Sequence, residues 1–488
     1  MRLFAAALLL FAAPAFAAFD WSADLAVLQR EVPKVHPDAF HNTTRVAFDT
    51  AVARLRERAP SMEPSDVAAE VARIMATLGD GHTRLTLPVD PNAGFFLGHT
   101  ATQVPEIRFS TLPARFFIYD DGVYVTSAAD PALVGRRVLR IGSKPIGEAM
   151  QLLAPYAAAE NESGRRNAIG DLLAVPAMLD AAGISDAARV ELAVDGGTFA
   201  LEPVAYGTPL PWLQKNDPRP FYLERRGNIA VMVFNEVANG KEETLAAFAR
   251  RLEEEAKTAD AVVIDARENR GGNGSLNRGL IHALIRSPRL QEPGRLFLLM
   301  GRRTFSAALF LALDLEQQTN AIFAGEPLGA RPNSYGDSRK TLLPSSGLTL
   351  RISTLYWQKS DPRDKRDAVA PHLAVPLLAK DRGRDAAFEK VQSFVAALAR
   401  GGELAGRNWS GTISLEYQRV PLTIANGRLT AKEIGLENVE LQGVVREGNR
   451  VRFRAGNYAF NLRVGDGVIA GTFSAGGVEY LVVMQGDR

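Results

Sequence analysis

The 488-residue chain contains no cysteine. Disulfides, thiolate nucleophiles, zinc–thiolate centres and lipid attachment through an N-terminal cysteine are therefore excluded, and the fold must be held by its core. An excess of one charge is also missing. The 57 Lys and Arg residues nearly cancel the 55 Asp and Glu, leaving +2, so no basic stripe dominates and a nucleic-acid partner is not expected. Histidine is scarce, with six in all, and each can be weighed. Beyond the first residues there is no apolar run long enough for a bilayer. Residues 1–17 combine Arg2, the short apolar run Leu3 to Ala13 and the small-x-small triplet Ala15-Phe16-Ala17. This is the pattern of a cleaved secretory signal peptide. The expectation is an exported chain, periplasmic or secreted, with no stable membrane span after cleavage. What is present is ordinary for globular protein, 46% hydrophobic and 23% charged.

The pattern then divides the chain. Residues 18–90 read as a helical region. In "PSDVAAEVARIMATLG", Val67, Val71, Ile74 and Leu78 recur at helical spacing, Ser65 with Asp66 and Glu70 suits a helix start, and Gly79 suits its end. Residues 91–205 read as β-rich, and "VGRRVLRIGSKPI" within them is partly PDZ-like, a module that binds extended peptide at a sheet edge. Residues 206–380 alternate strands and helices: "NIAVMVF", an amphipathic helix with Leu245, Phe248 and Leu252 on one face, "AVVIDA", the helix "LNRGLIHALI" with Ser275 as its cap, "RLFLLM", a helix from Phe305 to Leu315, and "AIFAGE". That order predicts a doubly wound α/β core with ligands beyond the carboxyl ends of its strands. Residues 381–405 read as a helical linker. Residues 406–488 read as short strands at regular spacing with Gly and Asn turns, a small all-β sandwich or barrel.

Three pieces of the sequence carry chemistry. Ser306 follows a strand and a tight turn and opens a helix, where free N–H groups and the positive dipole end would stabilise an oxyanion. Serine is also favoured there simply as a helix cap. Gly271-Gly272 follow a buried strand and would let backbone N–H groups approach a ligand closely. No Gly-Lys-Ser/Thr follows, so a phosphate loop is not expected. His82, in "LGDGHTRL", lies at a helix-to-strand turn. His36 and His41 lie in an early loop, His282 lies in a helix, and His372 follows Pro371. No HExxH pattern or carboxylate cluster stands out, so no metal and no cofactor are expected.

In order along the chain, "LGDGHTRL", "VVIDARENRGGNG", "GRRTFSAA" and "AGEPLGA" resemble the tail-specific (C-terminal-processing) serine protease family, and more its tricorn-core and interphotoreceptor retinoid-binding branches. The resemblance covers roughly Asp20 to Val375 and leaves out the C-terminal β-domain. It implies an α/β, crotonase-like protease core with a partial PDZ-like insertion. It also implies Ser306 as nucleophile and an oxyanion hole from the N–H of Ala307 with that of Gly271 or Gly272. One branch uses a lysine base after the "GE" motif. Here Arg331 or a neighbour holds that place, and arginine does not deprotonate at working pH. The other branch uses an upstream histidine, in the position of His82. The acid that orients the base is taken as Asp337, in "NSYGD", with Asp364 as its rival and His372 where a further aspartate would be. Glu326 reads as structural. Arg302 and Arg303 flank the site, either as selectors of acidic substrate groups or as solvated turn residues.

The expected function is an exported serine-type peptidase acting on peptide or protein substrates through a Ser–His acyl-enzyme mechanism. The alternative is a non-catalytic binding protein for apolar ligands or peptides on the same scaffold. An envelope or adhesion protein working through its β-domain is a third reading. Oligomers are compatible with each.

Overall fold

The structure is a computed structural model and describes residues 19–94, 106–213 and 217–487. The segment expected as a signal peptide, residues 1–17, lies outside the described residues. Among the described residues no helix is long and apolar enough to cross a membrane.

Three helices, Trp21–Val35, Arg45–Arg58 and Pro64–Ala76, open the described chain. The third starts on Pro64, whose fixed φ suits a first helical position, so Ser65 lies inside the helix and caps nothing. Gly79, at φ 70°, turns the chain out of it. The short strand Arg84–Thr86 follows and pairs antiparallel with Thr349–Ile352, which pairs in turn with Arg339–Leu342. Leu343, Leu348, Leu350 and Ile352 thereby enter the same apolar cluster as the opening helices. The chain thus returns some 270 residues later to complete its first core.

The intervening region holds the hairpin Ala114–Tyr119 with Gly122–Ala128 and a four-stranded sheet containing Val138–Ile141 and Val190–Val194. Three helices, Ile146–Leu153, Glu162–Leu172 and Pro176–Ala181, complete it.

The central sheet has six strands in the order Leu373–Ala374, Ile322–Gly325, Leu296–Met300, Ala261–Asp265, Ile229–Phe234, Phe221–Arg226. All neighbours run parallel except the last pair. Alternate residues go to opposite faces, as strand geometry requires. Met232, Ile264 and Leu298 meet the helices Leu245–Ala256, Asn277–Arg286 and Ala307–Gln318, whereas Val231, Val263 and Phe297 meet Phe388, Val391 and Phe394 of the helix Ala386–Arg400. The segment expected as a linker is therefore the layer that covers the second sheet face. Its apolar residues recur every three or four positions, which makes one stripe wide enough for that task. Residues after Trp409 form a nine-stranded antiparallel sheet with its own apolar cluster.

His372 welds the central sheet to this β-domain. Its Nδ1 accepts the Phe323 N–H (2.9 Å), so the ring proton sits on Nε2 and is donated to Ser414 Oγ (2.9 Å). Burial holds its pKa well below the usual histidine range. The unfolded chain takes up a proton that the folded chain refuses, so stability falls as pH drops below about 6.5. Guanidinium midpoints measured from pH 8 down to pH 5 are expected to fall more steeply for the wild type than for His372→Asn. Parallel curves would remove His372 from the acid sensitivity.

Candidate active site

The strand Leu296–Met300 is buried along its whole length and ends in a turn stitched to the neighbouring loop. Thr304, fully buried, accepts the Gly301 N–H (3.1 Å) and donates to the Ala266 carbonyl (2.8 Å). The Phe305 N–H donates to the Asn269 carbonyl (3.0 Å). Ser306 is thereby delivered at φ 54°, ψ −124°, next to the first residue of the helix Ala307–Gln318. A helix-cap serine has extended backbone and accepts an N–H from the first turn. Ser306 does neither, for its side chain makes no cap bond. This conformation costs on the order of 1–3 kcal/mol for a residue with a Cβ and persists only where the surroundings impose it. The same geometry marks nucleophiles carried on a sharp strand-to-helix turn.

Gly271 is what lets the two loops close. At φ 105°, a Cβ there would lie 2.7 Å from Ser306 Cβ and 3.0 Å from the Ala307 nitrogen. Its own N–H is held by Asn269 Oδ1 at 2.9 Å. Of the two glycines, Gly272 is therefore the one whose N–H makes no hydrogen bond among the described residues. Gly272 also presses on the Val237 carbonyl, which a Cβ would approach to 2.4 Å. The helix Asn277–Arg286 has no side-chain cap, so Ser275 does not cap it. Asn273 Oδ1 accepts the Ser275 N–H (3.1 Å) and opens the short turn Gly274–Leu276 before the helix begins at Asn277.

His82 arrives from the first core. Asp80, 1% exposed, accepts the His82 N–H (2.8 Å), Thr83 Oγ1 (2.5 Å), Ser353 Oγ (2.5 Å) and His36 Nε2 (3.2 Å). The His82 ring stacks on Phe305, the neighbour of Ser306, with centroids 4.3 Å apart and planes at 23°. Gly81 makes room for that stack, since a Cβ there would meet the Phe305 ring at 3.1 Å. The His82 Nδ1 edge faces two carboxyl groups, Glu160 Oε1 at 3.9 Å and Asp80 Oδ1 at 4.0 Å. Neither ring nitrogen makes a well-aligned hydrogen bond, with only the Tyr335 backbone near the ring, and Glu160 Oε1 likewise makes none, with only the Gly81 N–H near that carboxyl group. Ser306 and His82 are thus joined through the Phe305 ring and share no direct hydrogen bond.

The electrostatics follow from burial and these contacts. Burial pushes Glu160 up to about 8, reinforced by the Asp80 charge, against the Arg331 and Gly81 N–H groups. Burial alone would raise Asp80, but His36, the His82 charge, Ser353 and Thr83 together bring it down to about 2. Burial also lowers His82 to about 4, opposed by Asp80 and helped by Arg84 and Arg351. The ring is therefore neutral, able to accept a proton, at ordinary pH.

The acid expected from the sequence is not the one at the ring. Asp337 is exposed on a turn at φ 53°, and its carboxylate does not come within ion-pair distance of His82. Only its backbone is engaged, accepting from Thr354 Oγ1 at 2.5 Å. Asp364 is buried elsewhere, held by Ser360 (2.7 Å) and Arg366 (2.9 Å), and Arg366 also grips Glu316. Asp80 and Glu160 take the place beside Nδ1. Asp80 stands two residues before His82 and was visible in "LGDGH". Glu160, in "YAAAENESG", carries no spacing signal at all. Arg331 contributes its N–H to Glu160 (3.0 Å) and sends its side chain to Asp367. Neither flanking arginine is a solvated or free cation. Arg302, 4% exposed, pairs with Glu326 and donates to the Ile118 carbonyl (2.7 Å). Arg303 pairs with Glu268 (2.9 Å) and Asn167 (3.0 Å).

If Ser306 holds a strained backbone, Ser306→Gly is expected to be more stable than Ser306→Ala by about 1 kcal/mol, since only glycine adopts this region freely. Paired thermal and denaturant unfolding would show it, and the opposite ranking would mean that the turn is unstrained.

No family model matches the sequence, and no curated protein matches it. Solved structures do. One of mature CPAF superposes with a TM-score of 0.53 at 13% identity, over 78% of this chain and 97% of that one. Another, of mature CPAF complexed with lactacystin, gives 0.51 at 12% identity, over 77% and 96%. At this level of similarity the chain shares the fold of mature CPAF.

Proposed function

We propose that the chain is a serine-type peptidase of the tail-specific kind, with Ser306 as nucleophile and His82 as general base. One observation carries the reading. Ser306 stands at a helix start without capping it, in a backbone conformation that cap serines do not adopt. Ser306 Oγ attacks the scissile carbonyl, and the developing oxyanion is held by the Ala307 and Gly272 N–H groups. His82 takes the serine proton on Nε2, because Nδ1 faces the two carboxyl groups, and returns it to the leaving amine. Water then releases the acyl group by the reverse sequence. Asp80 positions the ring through its bond to the His82 N–H, and its charge beside Nδ1 favours the tautomer protonated there. The missing Ser306–His82 bond requires the imidazole to slide off Phe305 as substrate seats, as catalytic contacts often tighten only in the complex.

Peptide or protein is the substrate class, and export to the periplasm or beyond follows from the pattern of residues 1–17. A covalently reactive fluorophosphonate tests the site directly. Labelling of the wild type is expected to be abolished in Ser306→Ala and slowed about 10²–10⁴-fold in His82→Ala. Absence of labelling in every form would return the chain to the binding reading.

A further inference from the structure

The His82 turn gathers more than a base. Asp80, His82 and Glu160 come from two distant stretches of chain, yet one donor atom of each lies within 4.8 Å of the others. We infer that these three residues form a binding site for a divalent transition-metal ion, with Zn²⁺ the best match, and that the bound ion switches the serine site off. The inhibitory half rests on the proposed function, whereas the binding half stands without it.

The donor set is one imidazole nitrogen and two carboxylate oxygens, with no thiolate anywhere in the chain. That set suits Zn²⁺ and its borderline neighbours and not soft ions. Glu160 is the independent pointer to a ligand. The residue is 8% exposed, its Oε2 is anchored by the Arg331 N–H, and its Oε1 is buried without a well-aligned hydrogen bond and faces Nδ1 at 3.9 Å. An oxygen buried without a full hydrogen bond is destabilising, and a bound cation removes that cost. His82 Nδ1 likewise makes no well-aligned hydrogen bond.

An oriented outer shell is already built. Asp80 Oδ2 is held by His36, Thr83 and Ser353, which aims Oδ1 at the ring. Outer bonds of this kind fix ligand orientation in metal centres. With bonds of about 2.0–2.1 Å, tetrahedral ligands lie about 3.4 Å apart. The observed 3.9 and 4.0 Å therefore call for a contraction of about half an ångström around the ion. Inhibition follows from the tautomer. Coordination takes the Nδ1 lone pair, so the single proton of the neutral ring must sit on Nε2, which then cannot accept the proton of Ser306.

The test uses the chelator-treated full chain carrying Ser306→Ala, which leaves all three donors intact. Calorimetric titration with ZnCl₂ is expected to show one ion per chain, and Co²⁺ is expected to give the visible absorption of a four-coordinate site. Adding Glu160→Gln should weaken Zn²⁺ binding by roughly 100-fold or more, as should His82→Phe, which keeps the stack on Phe305. Circular dichroism and melting of both variants confirm folding. On the wild type, Zn²⁺ should block fluorophosphonate labelling over the same concentration range, and a chelator should restore it. No Zn²⁺ binding, or binding unchanged in both variants, would overturn the site and leave only water or surface histidines as the explanation. Binding that leaves labelling intact would overturn the switch. A wild type that never labels, with one Zn²⁺ still bound through Glu160, would reject the peptidase reading and leave the metal site standing.

Discussion

The buried carboxylate of Asp80 is the contact on which the site depends. It ties together His36 after the first helix, the turn carrying His82 and Thr83, and Ser353 on the strand that returns to the first core. A charge this deep in protein persists only when its oxygens are fully bonded. Asp80 meets that condition with donors separated by more than 300 residues of sequence. The same bonds that neutralise the burial cost fix the backbone of His82, so the placement of the imidazole and the closure of the first core are one event.

A second constraint acts from the α/β core. Thr304 and Asn269 lock the two loops at the carboxyl ends of neighbouring strands, and Gly271 allows the approach that a side chain would block. The strain in Ser306 is stored against those bonds. Phe305 then links the halves, for one of its neighbours is the serine and its ring face carries the imidazole. Stacking places His82 near Ser306 without committing the two to a hydrogen bond. It also leaves the Nδ1 edge open to the acid pair, which is why the proposed base and the proposed metal site share one ring.

Local patterns in the sequence carried much of this. The alternation of apolar strands and amphipathic helices from 227 to 330 was legible because each element encodes its own period, and the strand order of the parallel sheet follows from short right-handed connections. Ser306, His82 and the glycine pair were legible as residue types at element ends. Whether Ser306 caps its helix was not, because a serine at a helix start reads the same until φ and ψ are known. The helix Ala386–Arg400 showed its apolar stripe but not its target, since a stripe says that a face is buried and not what buries it.

The sequence by itself determined the elements, the absence of thiol chemistry and the two residues proposed to react. Only the tertiary structure decided which carboxyl groups face the His82 ring. Asp337 lies close in sequence to the "GE" motif and far from the ring, whereas Glu160, 78 residues beyond His82, lies 3.9 Å from it. The reason is physical: spacing encodes which residues share a face within one helix or strand, but contacts between elements are set by how whole cores pack. The return strand at Thr349–Ile352 and the Arg331 N–H that anchors Glu160 are products of that packing.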